Sequence, residues 1–320
     1  MEKFLIGLFI VLLGIAALAG VATVRYRGEI RTIQEHIDSL GSQVVKTNCG
    51  PIEYAQIGEG YPVLVVHGNA GGFDQGLTLA QGYLDQGFQV IAPSRFGYLR
   101  SSLPLEATPA LQADAFVCLL DALGIDQVAV LTTSAGVTSS VQFALRHPDR
   151  ISALILHSPN APGKVEFATP PKSVFSALIH NDFAYWVLNT YLQSSMQFLV
   201  GVPKSFILTP EFQSQVKETM TSVFPVSKRA DGMIFDTYVS NPEINHYPLP
   251  EIKSPTLVIS ALDDPMALHE NARTMAEQIP NARLLVVPDG GHLLLGHTIE
   301  VRAEITQFLH DNVLELKKGQ

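Results

Sequence analysis

The sequence predicts one α/β domain built on a mainly parallel, doubly wound sheet. From residue 43 onward, apolar runs typical of buried strands alternate with helix-compatible segments, an order typical of a parallel sheet with helices on both faces. Polar residues with catalytic chemistry follow several of these runs, at the sheet edge where ligands collect in such folds. With 320 residues and 47% hydrophobic content, the chain can form one such domain plus an insertion.

The predicted elements follow one another closely along the chain. A helix over residues 137–146 must end at His147-Pro148, because proline cannot continue it. The predicted order is two strands ending at residue 58, strand 63–66, helix 77–86, strand 89–92, helix 111–123, strand 128–131, helix 137–146, strand 153–157 and, after a long gap, strands 255–262 and 283–287.

Ser134 lies on the predicted turn between strand 128–131 and helix 137–146. The segment LTTSAG at 131–136 surrounds it with small residues, as a tight, strained strand-to-helix turn requires. Such a turn exposes a serine as a nucleophile. The alternative is an ordinary helix N-cap, and Thr132 stands where the G-x-S-x-G pattern has its first glycine.

Asp264 and His292 each follow a predicted strand, so both emerge at the same sheet edge as Ser134. A serine hydroxyl needs a base to remove its proton, and imidazole titrates closest to neutral pH. A carboxylate on the far ring nitrogen fixes the tautomer and stabilises the imidazolium. The order Ser134, Asp264, His292 separates this arrangement from other serine-hydrolase folds.

Strand 63–66 runs into a glycine-rich loop at 67–72. Acyl transfer places negative charge on a carbonyl oxygen, and backbone N–H groups directed at it are worth about 3 kcal/mol each. We expect the N–H groups of Ala135 and Asn69 to form this oxyanion hole. The alternative, a phosphate-cradling loop, lacks the Gly-Lys-Ser/Thr that would follow it.

Together these segments resemble the α/β-hydrolase superfamily, specifically serine hydrolases of the esterase and lipase type with a helical lid. The resemblance covers residues 43–314 and weakens between 161 and 250. It implies a core formed by residues 43–159 and 251–315, with a lid inserted at 160–250. The strings that carry it are VVHG at 65–68, IAPSRFGYLRS at 91–101, TSAG at 133–136, FALRHPDR at 143–150, PTLVIS at 255–260, Asp264 and GGH at 290–292.

Each of the acid and base assignments has a competing residue nearby. Asp263 competes with Asp264, but in the family pattern G-x-x-D-P the acid directly precedes proline, which favours Asp264. His297 competes with His292, but it lies where the final helix begins and fits a surface or capping role. A serine replaces the aspartate nucleophile of the related dehalogenases and epoxide hydrolases, which argues against those activities. Three residues are expected to be structural: Asp289, His147 and His157.

The N-terminus differs from the rest of the chain. Residues 4–24 carry no charge, and about 20 helical residues span a ~30 Å hydrocarbon core. Residues 1–24 are therefore expected to be a transmembrane anchor, followed by a linker helix at 25–42. The alternative is a signal peptide cleaved after Ala17-Leu-Ala19, giving a secreted or periplasmic enzyme, but the apolar run continues beyond that site. Three arginines after the span mildly favour a cytoplasmic enzyme, whereas a signal-peptide origin places it outside.

Composition excludes several function classes. A net charge of −9 without a basic cluster gives no support for nucleic-acid binding. Neither metal-ligand spacing nor a cofactor motif is present, so no cofactor is expected. The two cysteines do not make a disulfide framework, and Cys118 is expected to be a packed core thiol, with Cys49 lacking any base or metal partner. The oligomeric state is left open.

The resulting hypothesis is a membrane-anchored serine hydrolase of carboxylic esters or thioesters with an apolar acyl part. Large apolar residues in the predicted lid, including Phe183, Trp186 and Tyr191, either line an acyl pocket or pack the lid onto the sheet. Amide or carbon–carbon bond hydrolysis uses the same machinery. A non-catalytic protein that binds an apolar ligand or a membrane partner is the alternative from a different class.

Overall fold

The computed structural model describes residues 2–165 and 169–314. Its strands are β1 (Gln43–Thr47), β2 (Gly50–Ile57), β3 (Tyr61–Val66), β4 (Phe88–Pro93), β5 (Val128–Ser134), β6 (Ile151–Pro159), β7 (Thr256–Ala261) and β8 (Arg283–Val287). They form one sheet in the order β1-β2-β4-β3-β5-β6-β7-β8. The first two pairings, β1 with β2 and β2 with β4, are antiparallel, and the pairings from β4 to β8 are parallel. The prediction of a mainly parallel sheet is confirmed.

Helices cover both faces of the sheet, because its central strands are apolar on both sides. In β3, Leu64 and Val66 contribute to one core and Val63 and Val65 to the other. The α-helices of the described residues are α1 (Glu2–Ser39), α2 (Phe73–Tyr83), α3 (Pro109–Ala122), α4 (Gly136–Arg146), α5 (Lys172–Ile179), α6 (Asp182–Tyr191), α7 (Gln193–Met196), α8 (Pro210–Ser222), α9 (Ala230–Phe235), α10 (Asn241–Glu243), α11 (His269–Gln278) and α12 (Thr298–Leu309). The first core is closed by α3, α4 and α11, and the second by α2 and α12.

Residues 160–250, the segment predicted as a lid, hold helices α5 to α10 and are called the helical insertion below. The apolar stretch at 175–199 is not one helix, because Asn181 interrupts it and caps α6 by accepting a hydrogen bond from the Ala184 N–H at 3.0 Å. Helix α9 ends at Phe235, and the chain continues as a π-helical turn, Asp236–Ser240. This turn brings Asp236 into the core.

The predicted anchor and linker form one continuous helix, α1. Its side chains at 3–10 and 12–21 are exposed, whereas the part from Ala22 onward packs on the helical insertion. The Tyr26 ring lies 5.3 Å from the Phe183 ring and 5.8 Å from that of Trp186. Trp186 Nε1 donates to Glu29 Oε2 at 2.6 Å. The linker therefore belongs to the folded domain.

The expectation that Cys118 is a core thiol is wrong. A disulfide joins it to Cys49, with the two Cα atoms 6.1 Å apart. Cys49 lies in the turn between β1 and β2, and Cys118 lies on α3. The pairing links residues 69 positions apart, so local sequence patterns contain no sign of it.

Candidate active site

Ser134 is the last residue of β5 and has φ +50°, in the left-handed region that costs a non-glycine residue about 1–3 kcal/mol. The residues around it must be small. A Cβ on Gly136 would lie 2.4 Å from the carbonyl oxygen of His67, and one on Gly68 would lie 3.1 Å from Ser134 Cβ. Thr132 fits in place of the usual glycine because Gly136 leaves room: an added Cβ there would lie 2.9 Å from Thr132 Oγ1. The structure thus has the strained turn predicted at Ser134.

Asp264 and His292 are in direct contact. Asp264 Oδ2 lies 2.8 Å from His292 Nδ1, which therefore carries the proton, and the Asp264 side chain is fully buried while 11% of the His292 side chain stays exposed. The other oxygen, Oδ1, accepts hydrogen bonds from the N–H groups of Met266 at 2.8 Å and Ala267 at 2.9 Å. These bonds fix the position of the carboxylate. The carboxylate in turn fixes the imidazole through Nδ1 and does not occupy its Nε2.

Asp263, the competing acid, has a different partner. Its Oδ1 accepts a hydrogen bond from the Gly291 N–H at 2.8 Å. It therefore holds the loop just before His292 but makes no contact with the imidazole among the interactions of the described residues. The competing histidine, His297, occupies the N-cap position of α12, and its Nε2 lies 2.8 Å from Asp289 Oδ1.

The pKa of His292 reflects two opposed effects. Burial lowers it, but the charge of Asp264 and the hydrogen bond between them outweigh burial and raise the pKa above the ordinary value of 6.5. Asp264 thus stabilises the imidazolium that forms when His292 accepts a proton.

His157 lies near this pair, although the sequence offered no motif for it. It is at the end of β6, and its Nδ1 lies 3.1 Å from Thr133 Oγ1, next to Ser134. Burial, with a further contribution from the charge of His292, lowers the pKa of His157 to about 3, so this second imidazole is neutral. Because His157 is neutral, it does not repel the positive charge that His292 gains on protonation.

The glycine-rich loop after β3 is held by several hydrogen bonds. The Gly68 N–H donates to Gln75 Oε1 at 2.7 Å, so this N–H is already paired. The Asn69 side chain accepts from the Ala70 N–H at 2.9 Å. Among the described residues, no hydrogen bond is donated by the Asn69 N–H, which is one of the two groups predicted to form the oxyanion hole. The other, that of Ala135, directly follows Ser134 at the start of α4.

Two buried ion pairs join this loop region to the helical insertion, and sequence analysis assigned a role to none of their members. Arg95 makes two 2.6 Å hydrogen bonds to Asp236, and Arg229 binds Asp74 with bonds of 3.0 and 2.6 Å. Each pair contains one residue of the sheet domain and one of the helical insertion. The members are 141 and 155 residues apart, beyond the reach of local patterns.

The helical insertion also covers the His292 loop. The Gly201 carbonyl accepts a hydrogen bond from the His292 N–H at 3.0 Å. A Cβ on Gly201 would lie 2.2 Å from His292 Cβ, so only glycine allows this approach. On the sheet side, Ser158 Oγ donates to the His292 carbonyl at 2.9 Å. His292 is thereby held from both sides.

Comparison with known proteins agrees with this architecture. A family model described as alpha/beta hydrolase fold matches residues 61–296, so the chain belongs to that family. Its activity is hydrolytic, as the names of its relatives indicate.

Three curated relatives illustrate the range of those names. An uncharacterized hydrolase, YcgS of Bacillus subtilis, is 27% identical over 77% of this chain and 89% of its own length. The 2-hydroxy-6-oxo-6-phenylhexa-2,4-dienoate hydrolase of Comamonas testosteroni is 26% identical over 75% of this chain and 84% of its own. Lipase 1 of Psychrobacter immobilis is 26% identical over 78% of each chain.

Two solved structures are similar in fold. An alpha/beta hydrolase fold protein from Nakamurella multipartita is 28% identical, with a TM-score of 0.67 over 84% of this chain and 99% of that one. A bacterial membrane phospholipase A is 20% identical, with a TM-score of 0.61 over 97% of this chain and 99% of that one. The second match is evidence of fold alone.

Proposed function

We propose that this protein is a serine hydrolase of carboxylic esters or thioesters with an apolar acyl part, with Ser134, His292 and Asp264 as its catalytic triad. The 2.8 Å contact between Asp264 and His292 Nδ1 is the observation that carries the proposal. It supplies an oriented base on the same sheet edge as a serine held in a strained turn. Stored strain of this kind is typical of functional sites.

In the proposed reaction, His292 Nε2 removes the Ser134 hydroxyl proton as Oγ attacks the substrate carbonyl. The N–H groups of Asn69 and Ala135 stabilise the resulting oxyanion, and Asp264 stabilises the imidazolium. His292 then returns the proton to the leaving group, and the carbon–oxygen or carbon–sulfur bond breaks to leave an acyl-enzyme. A water molecule, deprotonated by His292, then attacks the acyl carbon. The bond between that carbon and Ser134 Oγ breaks, His292 returns the proton to Oγ, and the acid is released.

The helical insertion supports the assignment of an apolar substrate. Acting as a lid, it reaches the site through Gly201, which packs on His292. Its surface carries exposed apolar side chains, including Tyr191 at 55% and Leu192 at 51% exposure. The named activity of the Psychrobacter lipase, a relative of similar length, fits the same substrate class.

Carbon–carbon bond hydrolysis is the second candidate, favoured by the relative from Comamonas, whose name is that of a dienoate hydrolase. Both activities use the same triad, so only assays with the two kinds of substrate distinguish them. Turnover of aryl esters without turnover of a 2-hydroxy-6-oxodienoate supports the first candidate. The reverse pattern supports the second.

We further propose that α1 anchors the enzyme in a membrane and that the catalytic domain lies outside the cytoplasm. The charge-free segment at 4–24 is long enough to span a bilayer, and its side chains at 4–10 and 12–21 are exposed. The Cys49–Cys118 disulfide favours an oxidising compartment, and this outweighs the mild cytoplasmic preference of the three arginines that follow the span.

The Ser134→Ala variant tests the catalytic proposal. Alanine fits the turn sterically, so the full chain should fold in detergent and lose at least a thousandfold in turnover of a short-chain aryl ester. Ser139→Ala is the matched control, since Ser139 is a buried serine on α4 whose Oγ donates to Gly136 at 3.1 Å. This control should stay within threefold of wild type. Equal activities of the two variants would rule out Ser134 as nucleophile.

A further inference from the structure

The carbonyl of Gly68 is held by two donors. Arg95 Nη2 donates to it at 3.0 Å, and His67 Nδ1 lies 2.7 Å from it. The remaining His67 nitrogen, Nε2, accepts from the Arg95 N–H at 2.9 Å, which fixes the tautomer that donates from Nδ1. Burial and the neighbouring Arg95 charge hold the pKa of His67 well below its usual value, so the ring stays neutral.

Holding this carbonyl also fixes the N–H of the next residue. The peptide bond between Gly68 and Asn69 is planar and trans, so the Asn69 N–H points opposite to the Gly68 carbonyl. Any rotation of the peptide that turns the N–H breaks the bonds to Arg95 and His67. Arg95 Nε also donates to the His67 carbonyl at 3.0 Å, which holds the preceding peptide.

Arg95 is in turn held by the helical insertion. Only 1% of its side chain is exposed, and the carboxylate of Asp236, fully buried, binds it through both terminal nitrogens at 2.6 Å. The Tyr98 hydroxyl donates to the same carboxylate at 2.5 Å and lies 3.1 Å from Asn69 Oδ1. Asp236 is therefore linked to Asn69 by two routes. Arg95 connects it to the Gly68–Asn69 peptide, and Tyr98 connects it to the Asn69 side chain.

We propose that Asp236 is a positioning residue for the oxyanion hole. By pairing with Arg95 it keeps the Gly68–Asn69 peptide in the orientation that directs the Asn69 N–H toward the substrate oxygen. Because Asp236 belongs to the helical insertion, the oxyanion hole is complete only when the insertion is seated on the sheet. This inference rests on the serine-hydrolase function proposed above.

The second buried ion pair provides a matched control. Asp74, on α2, binds Arg229 of the helical insertion with a geometry close to that of the first pair. Arg229 Nη1 donates to the Gly71 carbonyl at 2.6 Å, so it holds a different peptide of the loop. Breaking either pair removes one buried link between sheet and insertion, but only the Asp236 pair acts on Asn69.

The test compares Asp236→Asn with Asp74→Asn in the full chain in detergent. A short-chain aryl ester serves as substrate and gives kcat and KM. An alkyl boronic acid serves as inhibitor, and its affinity is measured because its tetrahedral adduct places an oxygen in the oxyanion hole. Asp236→Asn should lower kcat about 10- to 100-fold, up to the loss of one oxyanion donor, and weaken the boronic acid in proportion. Its KM should stay within threefold, since the substrate in its ground state carries no oxyanion.

Asp74→Asn should change kcat, KM and boronic acid affinity by less than threefold, although both variants should melt earlier than wild type. Equal losses of kcat in the two variants, or a raised KM at constant kcat for Asp236→Asn, would overturn the proposal. If Asp236→Asn does not fold, Tyr98→Phe decides, since it removes the hydroxyl that contacts both the Asp236 carboxylate and Asn69 Oδ1 without removing a charge. A severalfold lower kcat with unchanged KM supports the proposed chain of contacts, and an unchanged kcat refutes it. A wild-type protein without Ser134-dependent turnover would instead refute the proposed function.

Discussion

Replacing each of the two adjacent aspartates by asparagine separates their roles. In Asp264→Asn, the amide has a single oxygen, which cannot accept both from His292 Nδ1 and from the Met266 and Ala267 N–H groups. Either the imidazole takes the wrong tautomer or the side chain loses its backbone bonds. In Asp263→Asn, the amide oxygen can still accept from Gly291. We therefore expect the two variants to differ greatly.

The magnitudes follow from these contacts. Loss of the orienting carboxylate lowers kcat by up to about 10⁴, equal to about 5 kcal/mol at 1.36 kcal/mol for each factor of ten. For Asp263→Asn, a charged acceptor becomes a neutral one on a single backbone N–H, a difference of about 1 kcal/mol. If all of that energy acts on the position of His292, kcat falls only about fivefold.

The assay is steady-state hydrolysis of a short-chain aryl ester by full-length protein in detergent, with circular dichroism as the control for folding. Asp264→Asn should lose at least 100 times more kcat than Asp263→Asn. A larger loss in Asp263→Asn would identify Asp263 as the orienting acid and contradict the geometry described here. Similar losses in two folded variants would mean that neither carboxylate orients the base.

Three further outcomes are expected. Asp264 raises the pKa of His292 above 6.5, so the neutral base is fully present only above that raised pKa. We therefore expect kcat/KM to fall as pH drops through a midpoint above 6.5, and a midpoint below 6.5 would contradict this. Replacing Cys49 and Cys118 with alanine should lower the free energy of unfolding in urea by about 2–4 kcal/mol, since a loop of 69 residues gives about 4 kcal/mol at most, and an unchanged free energy would argue against the disulfide. Full-length protein should sediment with membranes and resist carbonate, whereas deletion of residues 2–24, which keeps Tyr26, should release an active soluble enzyme; carbonate extraction of the full-length protein would refute the anchor.

The features that sequence analysis predicted are those that local chemistry determines. A parallel strand buried on both faces needs a continuous apolar run, and the strained turn at Ser134 needs small neighbours, so both leave a pattern within ten residues. The position of Asp264 could be predicted because the carboxyl ends of parallel strands share one edge.

The features that were missed depend on contacts between distant segments. Asp236 and Arg95 are 141 residues apart, and nothing near Asp236 distinguishes it from a surface carboxylate of an ordinary helix. The disulfide partners are likewise far apart in sequence. The continuity of α1 was missed for a different reason: the apolar span and the amphipathic stretch after it differ in composition, which concealed that one helix contains both.

The central claim is that Ser134 is an activated nucleophile, and covalent labelling tests it most directly. Full-length protein in detergent, treated with a fluorophosphonate, should gain one adduct per chain, and peptide mass spectrometry should locate the phosphorus on Ser134. Protein unfolded before treatment should not react, because the serine hydroxyl alone is a poor nucleophile. Folded protein that stays unlabelled, or an adduct on another residue, would contradict the account.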